Sequence, residues 1–307
     1  MYPISVIIPV YQAGPRIQKH IEALELLAPC VRETIWVITP SADASCQAAR
    51  QAAQRLGGLI LDRPPGLYPA WNAGLAAAKS EFIYISTCGD GIQPSGLEAL
   101  LTTLQNSRAD VVISPPEMHP AGKRTADLSR DWPVFRFARE LHRFAGKRIP
   151  VEVTTLVQIL SGASSILGSC ASCLFRASVF ERALFPETYF HYGDTAWIYE
   201  KLPHISLAFH AQPVAQFWFH ETSHPQCVDK RQVYQMMTDL ARHLPPEEES
   251  AVQSMIASSQ RLDALRGESP KSGWWLDPQA WICRWHRQSS RSYLLKSLHE
   301  TAAHLEN

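Results

Sequence analysis

The chain reads as an α/β protein: a mostly parallel sheet flanked by helices, followed by a helical C-terminal extension. Three observations predict this. Short apolar, β-favouring runs alternate with helix-forming runs through the first 115 residues, the pattern of consecutive βαβ units. The run Phe82-Ile83-Tyr84-Ile85 carries no charge, as a strand covered on both faces requires. From about Pro225 onward the β-favouring runs stop and helix-forming ones remain.

Ser5 to Tyr11 is the first strand, ending in a turn at Ala13-Gly14-Pro15. Arg16 to Leu27 has helical apolar spacing at Ile17, Ile21, Leu24 and Leu27. Thr34 to Ile38 is the second strand. Asp43 or Ser41 in the following turn is expected to cap the helix that runs to about Leu56. Gly58 to Leu61 is a third strand. Tyr68 to Lys79, rich in Ala and Leu, favours helix. It leads into the strand at Phe82 and then the acidic turn Ser86-Thr87-Cys88-Gly89-Asp90-Gly91. A helix near Leu97 to Gln105 and a strand at Asp110 to Ile113 complete the alternation.

Residues 115–150 break the rhythm with Pro, Arg, Lys and His and with Trp132 and Phe135, and read equally as a lid or acceptor-facing insertion or as a solvated connection. Val153 to Phe175 is uncharged and long enough to span a bilayer, but Gln158 and several Ser and Thr dilute it. It reads as a buried helix followed by a strand. Ala177 to Arg182 is a short helix, and the loop from Phe185 opens a helix that starts at Asp194 and ends near Leu202. Strands follow at Ile205 to Phe209 and Val214 to Phe219. Val233 to Leu244 and Ala251 to Leu265 are helices parted by two prolines and an acidic run, Glu247 to Glu249. The last segment sets Trp274, Trp275, Trp281 and Trp285 beside Arg284, Arg287, Arg291 and Lys296. Such a pattern suits a membrane-surface helix; aromatic anchoring of the extension to the main body is the commoner explanation and the one favoured here.

The chain has 307 residues, of which 46% are apolar and 19% charged, as a globular protein with a sizeable core has. Zero formal net charge gives no global field toward nucleic acid, and none is expected as a partner. Seven scattered cysteines do not make a closed disulfide framework and point to a reducing compartment. Cys170 and Cys173 form a lone CxxC in small apolar surroundings, so buried thiols are expected rather than zinc ligands. The start, MYPISVIIPVY, lacks the basic residues of a signal peptide, and Pro9 interrupts its apolar run.

In an open α/β sheet, ligands bind beyond the carboxyl ends of the strands. Asp90, between two glycines at such an end, is placed to meet a ligand or a metal; an Asp-Gly turn and nothing more is the equal alternative. Asp194 at a helix start is a candidate reactive carboxylate or an N-cap. His220 at a strand end is a candidate metal or phosphate ligand, or a structural His.

The stretches SVIIPVYQAG, SADAS, GLYPAWNAGLAAAKSEFIYI, FPETYFHYGDTAWIYEKL and WFHETS occur in an order that resembles the family 2 glycosyltransferases, over roughly residues 4 to 225. The resemblance implies a GT-A-type, Rossmann-like domain over 1–225 with a helical extension over 226–307. It implies an inverting transfer from a nucleotide-diphosphate sugar to a glycan or lipid-linked acceptor. By their places in the family pattern, Asp194 would be the general base. Pro9, Tyr11, Thr39, Asn72, Gly89 and Asp90 would contact the nucleotide sugar. Asp90 and His220 would hold a divalent Mn or Mg ion. A cytoplasmic enzyme is implied, with possible peripheral contact to the inner membrane face through the C-terminal helix.

The chain departs from the family at several positions. Thr87 and Gly89 stand where acids are usual, and one remaining carboxylate holds a divalent ion weakly. The acceptor-side acidic pair is reduced to Gly193-Asp194, and Ile38 and Thr39 stand where an acid often meets the nucleoside. Two function classes therefore remain: an active transferase, favoured because Asp90, Asp194 and His220 are all present, and a non-catalytic module that binds a nucleotide, glycan or protein. Nucleotidyl transfer lacks its Gly-rich, basic phosphate loop, since only Gly14 and Arg16 follow the first strand.

Overall fold

A computed structural model describes residues 1–119, 132–181, 183–218, 229–268 and 278–306. The helices are α1 (Arg16–Leu27), α2 (Ser45–Leu56), α3 (Leu67–Ala77), α4 (Pro94–Ser107), α5 (Val151–Ser161), α6 (Gly193–Lys201), α7 (Lys230–Ala241), α8 (Pro246–Glu268) and α9 (Pro278–Leu305), with short helical turns between them. The strands are β1 (Tyr2–Val10), β2 (Val31–Ile38), β3 (Leu59–Asp62), β4 (Phe82–Ile85), β5 (Gly91–Ile92), β6 (Val111–Ile113), β7 (Glu117–His119), β8 (Arg148–Ile149), β9 (Cys173–Arg176), β10 (Leu207–Phe209) and β11 (Ala215–Trp218).

Eight strands form one sheet in the order β3-β2-β1-β4-β9-β6-β10-β8. The β1, β2, β3 and β4 pairings are parallel, and so is β6 with β10. β9 runs antiparallel to both β4 and β6, and β8 antiparallel to β10. This is the expected α/β architecture, with a reversed strand near its middle. β4 is buried at all four positions, which explains its continuous apolar run. The strand expected at Val214 to Phe219 leaves this sheet: β11 pairs instead with β5 and β7 in a small sheet beyond the carboxyl end of β4.

Helix α3 lies very close to the sheet. A Cβ on Gly74 would come 2.3 Å from Cγ2 of Ile7 on β1, so this position of the Asn-x-Gly helix admits no side chain. One continuous apolar core joins Ile7, Ile85 and Phe175 of the sheet to Met237 of α7, Met255 of α8 and Leu298 of α9. The helical extension is thus packed into the same interior as the strands.

Several local expectations are corrected. Neither Ser41 nor Asp43 caps α2, which starts after Ala44 without a side-chain cap; Asp43 is engaged elsewhere, as described below. The acidic run Glu247 to Glu249 is the first turn of α8, not a separator, which suits the positive end of the helix dipole. Residues 132–150 are not a solvated connection, because Phe137, Leu141 and Phe144 are buried in the core. The earlier part of that insertion, 120–131, lies outside the described residues. Cys170 and Cys173 are buried, and the Cys173 thiol donates to the Leu167 and Ser169 carbonyls. Among the described residues no helix is long and apolar enough to cross a membrane.

The aromatic anchoring expected of the C-terminal helix fails for two of its tryptophans. Trp281 and Trp285 are 61% and 66% exposed, with Ile282 between them 56% exposed. The packing of α9 is carried instead by Leu294, Leu298 and Ala302. Trp274 and Trp275 lie outside the described residues.

Candidate active site

The carboxyl ends of β1, β2 and β4 bring three turns together, as parallel pairing in register demands. Pro9, half-buried, closes β1, and Tyr11 just beyond it is 46% exposed. The turn after β1 holds two left-handed residues, Gln12 (φ 45°) and Gly14 (φ 51°). It is tied down by the turn after β2. Gly14 N–H donates to Asp43 Oδ2 at 2.7 Å, and Ala13 N–H donates to Ser45 Oγ at 3.3 Å. The Ser41 and Ser45 hydroxyls donate to Asp43 Oδ1. Those hydroxyl bonds hold the Asp43 carboxyl down at about 2. Asp43 is therefore the brace of the turn after β1, a role that helix-capping logic missed. Thr39 is buried, its N–H donating to Val10 O and its carbonyl accepting from the Cys46 thiol.

Asp90 follows β4. Gly89 before it has φ 109°, a backbone setting that favours glycine, so the position has a conformational reason to lack an acid. Asp90 Oδ2 accepts from the Thr87 hydroxyl at 2.7 Å, and Oδ1 from Trp218 N–H at 3.1 Å. The threonine standing where the family has an acid thus donates to the acid that remains. Burial pushes the Asp90 carboxyl up to about 6, against the pull of Thr87 and Trp218. Its backbone carbonyl meets His20 Nδ1 at 3.0 Å. Burial also lowers His20 to about 4, so its neutral ring donates through Nδ1 to that carbonyl. A cavity of about 310 Å³ borders Asp90 on the α1 and β11 side; Pro9, Tyr11, Thr39, Asn72 and Asp194 take no part in its lining.

Asp194 sits in the first turn of α6, one residue inside it, and is not its N-cap. The hydroxyl of Tyr68, on α3, donates to Asp194 Oδ1 at 2.8 Å. Burial raises the Asp194 carboxyl above its usual range, and the Tyr68 bond opposes that rise. Tyr68 itself is driven up, first by its own burial and then by the Asp194 charge. Gly193 is glycine for a steric reason: a Cβ there would lie 2.6 Å from Pro186 O and 2.6 Å from the Tyr68 ring. Pro186 O and the Tyr68 ring thus leave no room for a second side chain next to Asp194.

Asn72 does not point freely into the cleft. Its amide donates to Phe185 O at 2.9 Å and to Glu187 Oε1 at 3.0 Å, and its carbonyl accepts from Phe185 N–H at 3.0 Å. It staples α3 to the loop that delivers Asp194. Trp71 and Phe185 pack edge-on against each other at 5.2 Å, both in contact with Tyr68. The Trp71 indole N–H is buried with no hydrogen-bond partner among the described residues. Its neighbour Tyr68 is the main residue that sequence reasoning missed, because an aromatic at the start of an apolar helix reads as core.

The Ser169 side chain helps hold Asp90 down, while the charge of Asp194 reaches the Cys170 and Cys173 thiols. Asp90 and Asp194, 104 positions apart in sequence, thus both act electrostatically on the segment Ser169–Cys173. His220, the third expected member, lies outside the described residues. A divalent cation needs several free oxygen or imidazole ligands. Among the described residues no three His, Cys, Asp or Glu side chains cluster to hold one, and both Asp90 oxygens already accept hydrogen bonds. The described residues alone do not fit such an ion.

The arrangement resembles known proteins in sequence and in shape. Over 113 residues the chain is 31% identical to the glycosyltransferase GlyG of Streptococcus pneumoniae serotype 4, a match covering 36% of this chain and 38% of that protein. The matched part is thus well under half of that relative. The crystal structure of S. aureus TarS 1–349 in complex with UDP-GlcNAc superposes with a TM-score of 0.59 at 16% identity, covering 91% of this chain and 79% of that one. Glucosyl-3-phosphoglycerate synthase from Mycobacterium tuberculosis, in complex with Mg2+ and UDP, gives 0.50 at 16% identity over 77% of this chain and 78% of that one. At such identities the two structures speak for the fold. Residues 5–167, more than half of the chain, match the family described as glycosyl transferase family 2. With the parallel sheet, the Asn-x-Gly helix and the two carboxylates in place, this chain belongs to glycosyl transferase family 2.

Proposed function

We propose that the chain is an inverting glycosyltransferase that moves a sugar from a nucleotide-diphosphate donor to a hydroxyl of a glycan or lipid-linked acceptor. The observation that carries this reading is Asp194: a carboxylate raised by burial and oriented by the Tyr68 hydroxyl. A hydroxyl is a weak nucleophile, and a carboxylate that takes its proton as the new bond forms contributes about 10²–10⁴ in rate. The acceptor oxygen attacks the anomeric carbon, its proton passes to Asp194, and the nucleoside diphosphate leaves from the opposite face. Asp90 faces that diphosphate. A raised carboxyl there repels the departing charge less than a fully ionised one would. TarS has been crystallised with UDP-GlcNAc and the synthase with Mg2+ and UDP, so UDP is the first nucleotide to try.

The test is Asp194→Asn. The expected result is loss of transfer by 10²-fold or more with UDP affinity nearly unchanged; transfer that survives removes Asp194 from the role of base. Donor binding with neither transfer nor donor hydrolysis in the wild type favours the non-catalytic module instead. Titration of UDP with and without Mn2+ reads the metal. An affinity unmoved by Mn2+ agrees with the single carboxylate; a gain of tenfold or more shows that His220 or another residue outside the described set completes an ion site.

The exposed Trp281, Ile282 and Trp285 face beside Arg284 supports contact with an anionic membrane surface. Co-sedimentation with vesicles containing anionic lipid is expected for the wild type and reduced severalfold in Trp281→Ala/Trp285→Ala.

A further inference from the structure

A departing diphosphate needs fixed positive charge or hydrogen-bond donors to receive it. In the family pattern the acids after β4 hold a divalent ion for that purpose. Here Thr87 and Gly89 stand at two of those acids, and both oxygens of Asp90 already accept hydrogen bonds. The donor set that an ion requires is gone, yet a cation faces the same turn from α1.

Helix α1 is laid against residues 86–90 by His20, whose Nδ1 meets the Asp90 carbonyl at 3.0 Å and whose Nε2 lies 3.4 Å from the Ser86 hydroxyl. Arg16 stands four positions before His20, on the same face of the helix and one turn nearer the carboxyl end of β1. Burial raises both the Asp90 carboxyl and the Cys88 thiol, and the charge of Arg16 reaches both and pulls them back down. Lys19, the other cation on this part of α1, is turned to Trp218, with its Nζ 3.4 Å from the ring centre.

The guanidinium of Arg16 is held in place by its own turn. Its Nε donates to Ala13 O at 3.2 Å and its Nη2 to Gln12 O at 3.1 Å. Those carbonyls belong to the turn that Asp43 braces through Gly14. The two bonds use one edge of the plane. A guanidinium has five N–H donors, and among the described residues Nη1 makes no hydrogen bond and Arg16 no ion pair. The remaining edge matches two oxygens of a phosphate. Helix α1 adds a field of the same sign, since it begins at Arg16 with no acid in its first turn.

We propose that Arg16 takes the place of the divalent ion and binds the donor's diphosphate through its Nη1 edge. Charge conservation supports the exchange. Two carboxylates and a divalent cation cancel, so losing all three leaves the charge that faces the donor unchanged. As the bond from the anomeric carbon to the β-phosphate oxygen breaks, its electron pair stays on that oxygen, and Arg16 donates hydrogen bonds to the phosphate. The acceptor oxygen forms the new bond and its proton goes to Asp194; Arg16 transfers none. This deepens the transferase reading, and rests on it for the place of the diphosphate beside Asp90.

The test is calorimetric titration of UDP and of uridine into the full chain, in EDTA and in Mn2+. Wild type is expected to bind UDP equally in both and at least tenfold more tightly than uridine. Arg16→Gln is expected to lose tenfold or more in UDP affinity with uridine affinity unchanged, and to lose about 10²–10³-fold in donor turnover. Arg16→Lys, which keeps the charge without the planar fork, is expected to fall between the two. Lys19→Gln is expected to leave UDP affinity within twofold. A tenfold gain in Mn2+ overturns the proposal. Equal losses in Arg16→Gln and Lys19→Gln reduce the effect to net charge and overturn it too. An equal loss of UDP and uridine in Arg16→Gln marks a brace of the turn and has the same result. Should Arg16→Gln not fold, Arg16→Lys and the Mn2+ arm still decide. UDP binding that neither Arg16 variant alters sinks this inference alone. Arg16-dependent UDP binding with neither transfer nor donor hydrolysis sinks the transferase reading and leaves the diphosphate site standing. A wild type that binds no UDP sinks both.

Discussion

At the scale of single residues, the protein works through hydrogen bonds that set two carboxyl groups apart from a third. As the proposed base, Asp194 must be ionised to accept a proton, so activity should rise with pH through its raised pKa. Tyr68 stabilises the ionised form. Removing its hydroxyl in Tyr68→Phe raises that pKa further, so the acid limb of the kcat/KM profile moves to higher pH. A hydrogen bond to a charged group is worth about 1.5–3 kcal/mol, so the rate near neutrality should fall about tenfold or more. A profile that does not move removes Tyr68 from any part in tuning the base. Asp43 behaves oppositely. Its folded pKa is depressed to about 2, so the stability it contributes is present above about 4 and fades as pH falls toward 2. Asp43→Ala should lower the melting temperature at pH 7, and the gap to the wild type should narrow below pH 4. Thermal melts from pH 7 to pH 3 decide this. Neither role could be read from the chain. Asp43 looked like a helix cap, and Tyr68 looked like core, because their partners lie 29 and 126 positions away.

At the scale of elements, the close approach of α3 to β1 organises the site. It presents Tyr68 to Asp194 and lets Asn72 hold the loop at Phe185. Gly74→Ala drives a methyl to within 2.3 Å of Ile7 Cγ2, and overpacking of this kind costs about 1–3 kcal/mol. Ile7→Ala in the same chain removes the clashing atom. The double variant should therefore lose less stability than the two single losses combined, as measured by urea unfolding. Strict additivity would show that α3 can shift away from the sheet. Much at this scale was legible. The alternation of apolar and helix-forming runs placed β1, β2, β4, β6 and their helices, since burial on both faces leaves an unmistakable composition. The pairing was not legible. β9 enters the sheet in reverse and β11 leaves it, and both choices are made by what lies alongside and not by local preference.

At the scale of the whole molecule, the sheet and the helical extension share one interior. Unfolding should accordingly be a single cooperative transition, with tryptophan fluorescence and far-UV circular dichroism coinciding in urea. Two separated transitions would show that α7, α8 and α9 form an independent unit. Removal of residues 229–307 should strip the cover from α5 and give insoluble protein.

The sequence by itself determined the class of fold, the order of strands and helices in the first 115 residues, and the family. Those properties are written locally, in periodicity, in composition and in short motifs. Only the tertiary structure decided what Asp43, Asn72 and Tyr68 do, why Gly89 and Gly193 replace acids, and that Trp281 and Trp285 face outward. The physical reason is the same in each case: a side chain's partner and its access to solvent are set by segments far along the chain, brought near only when the core closes.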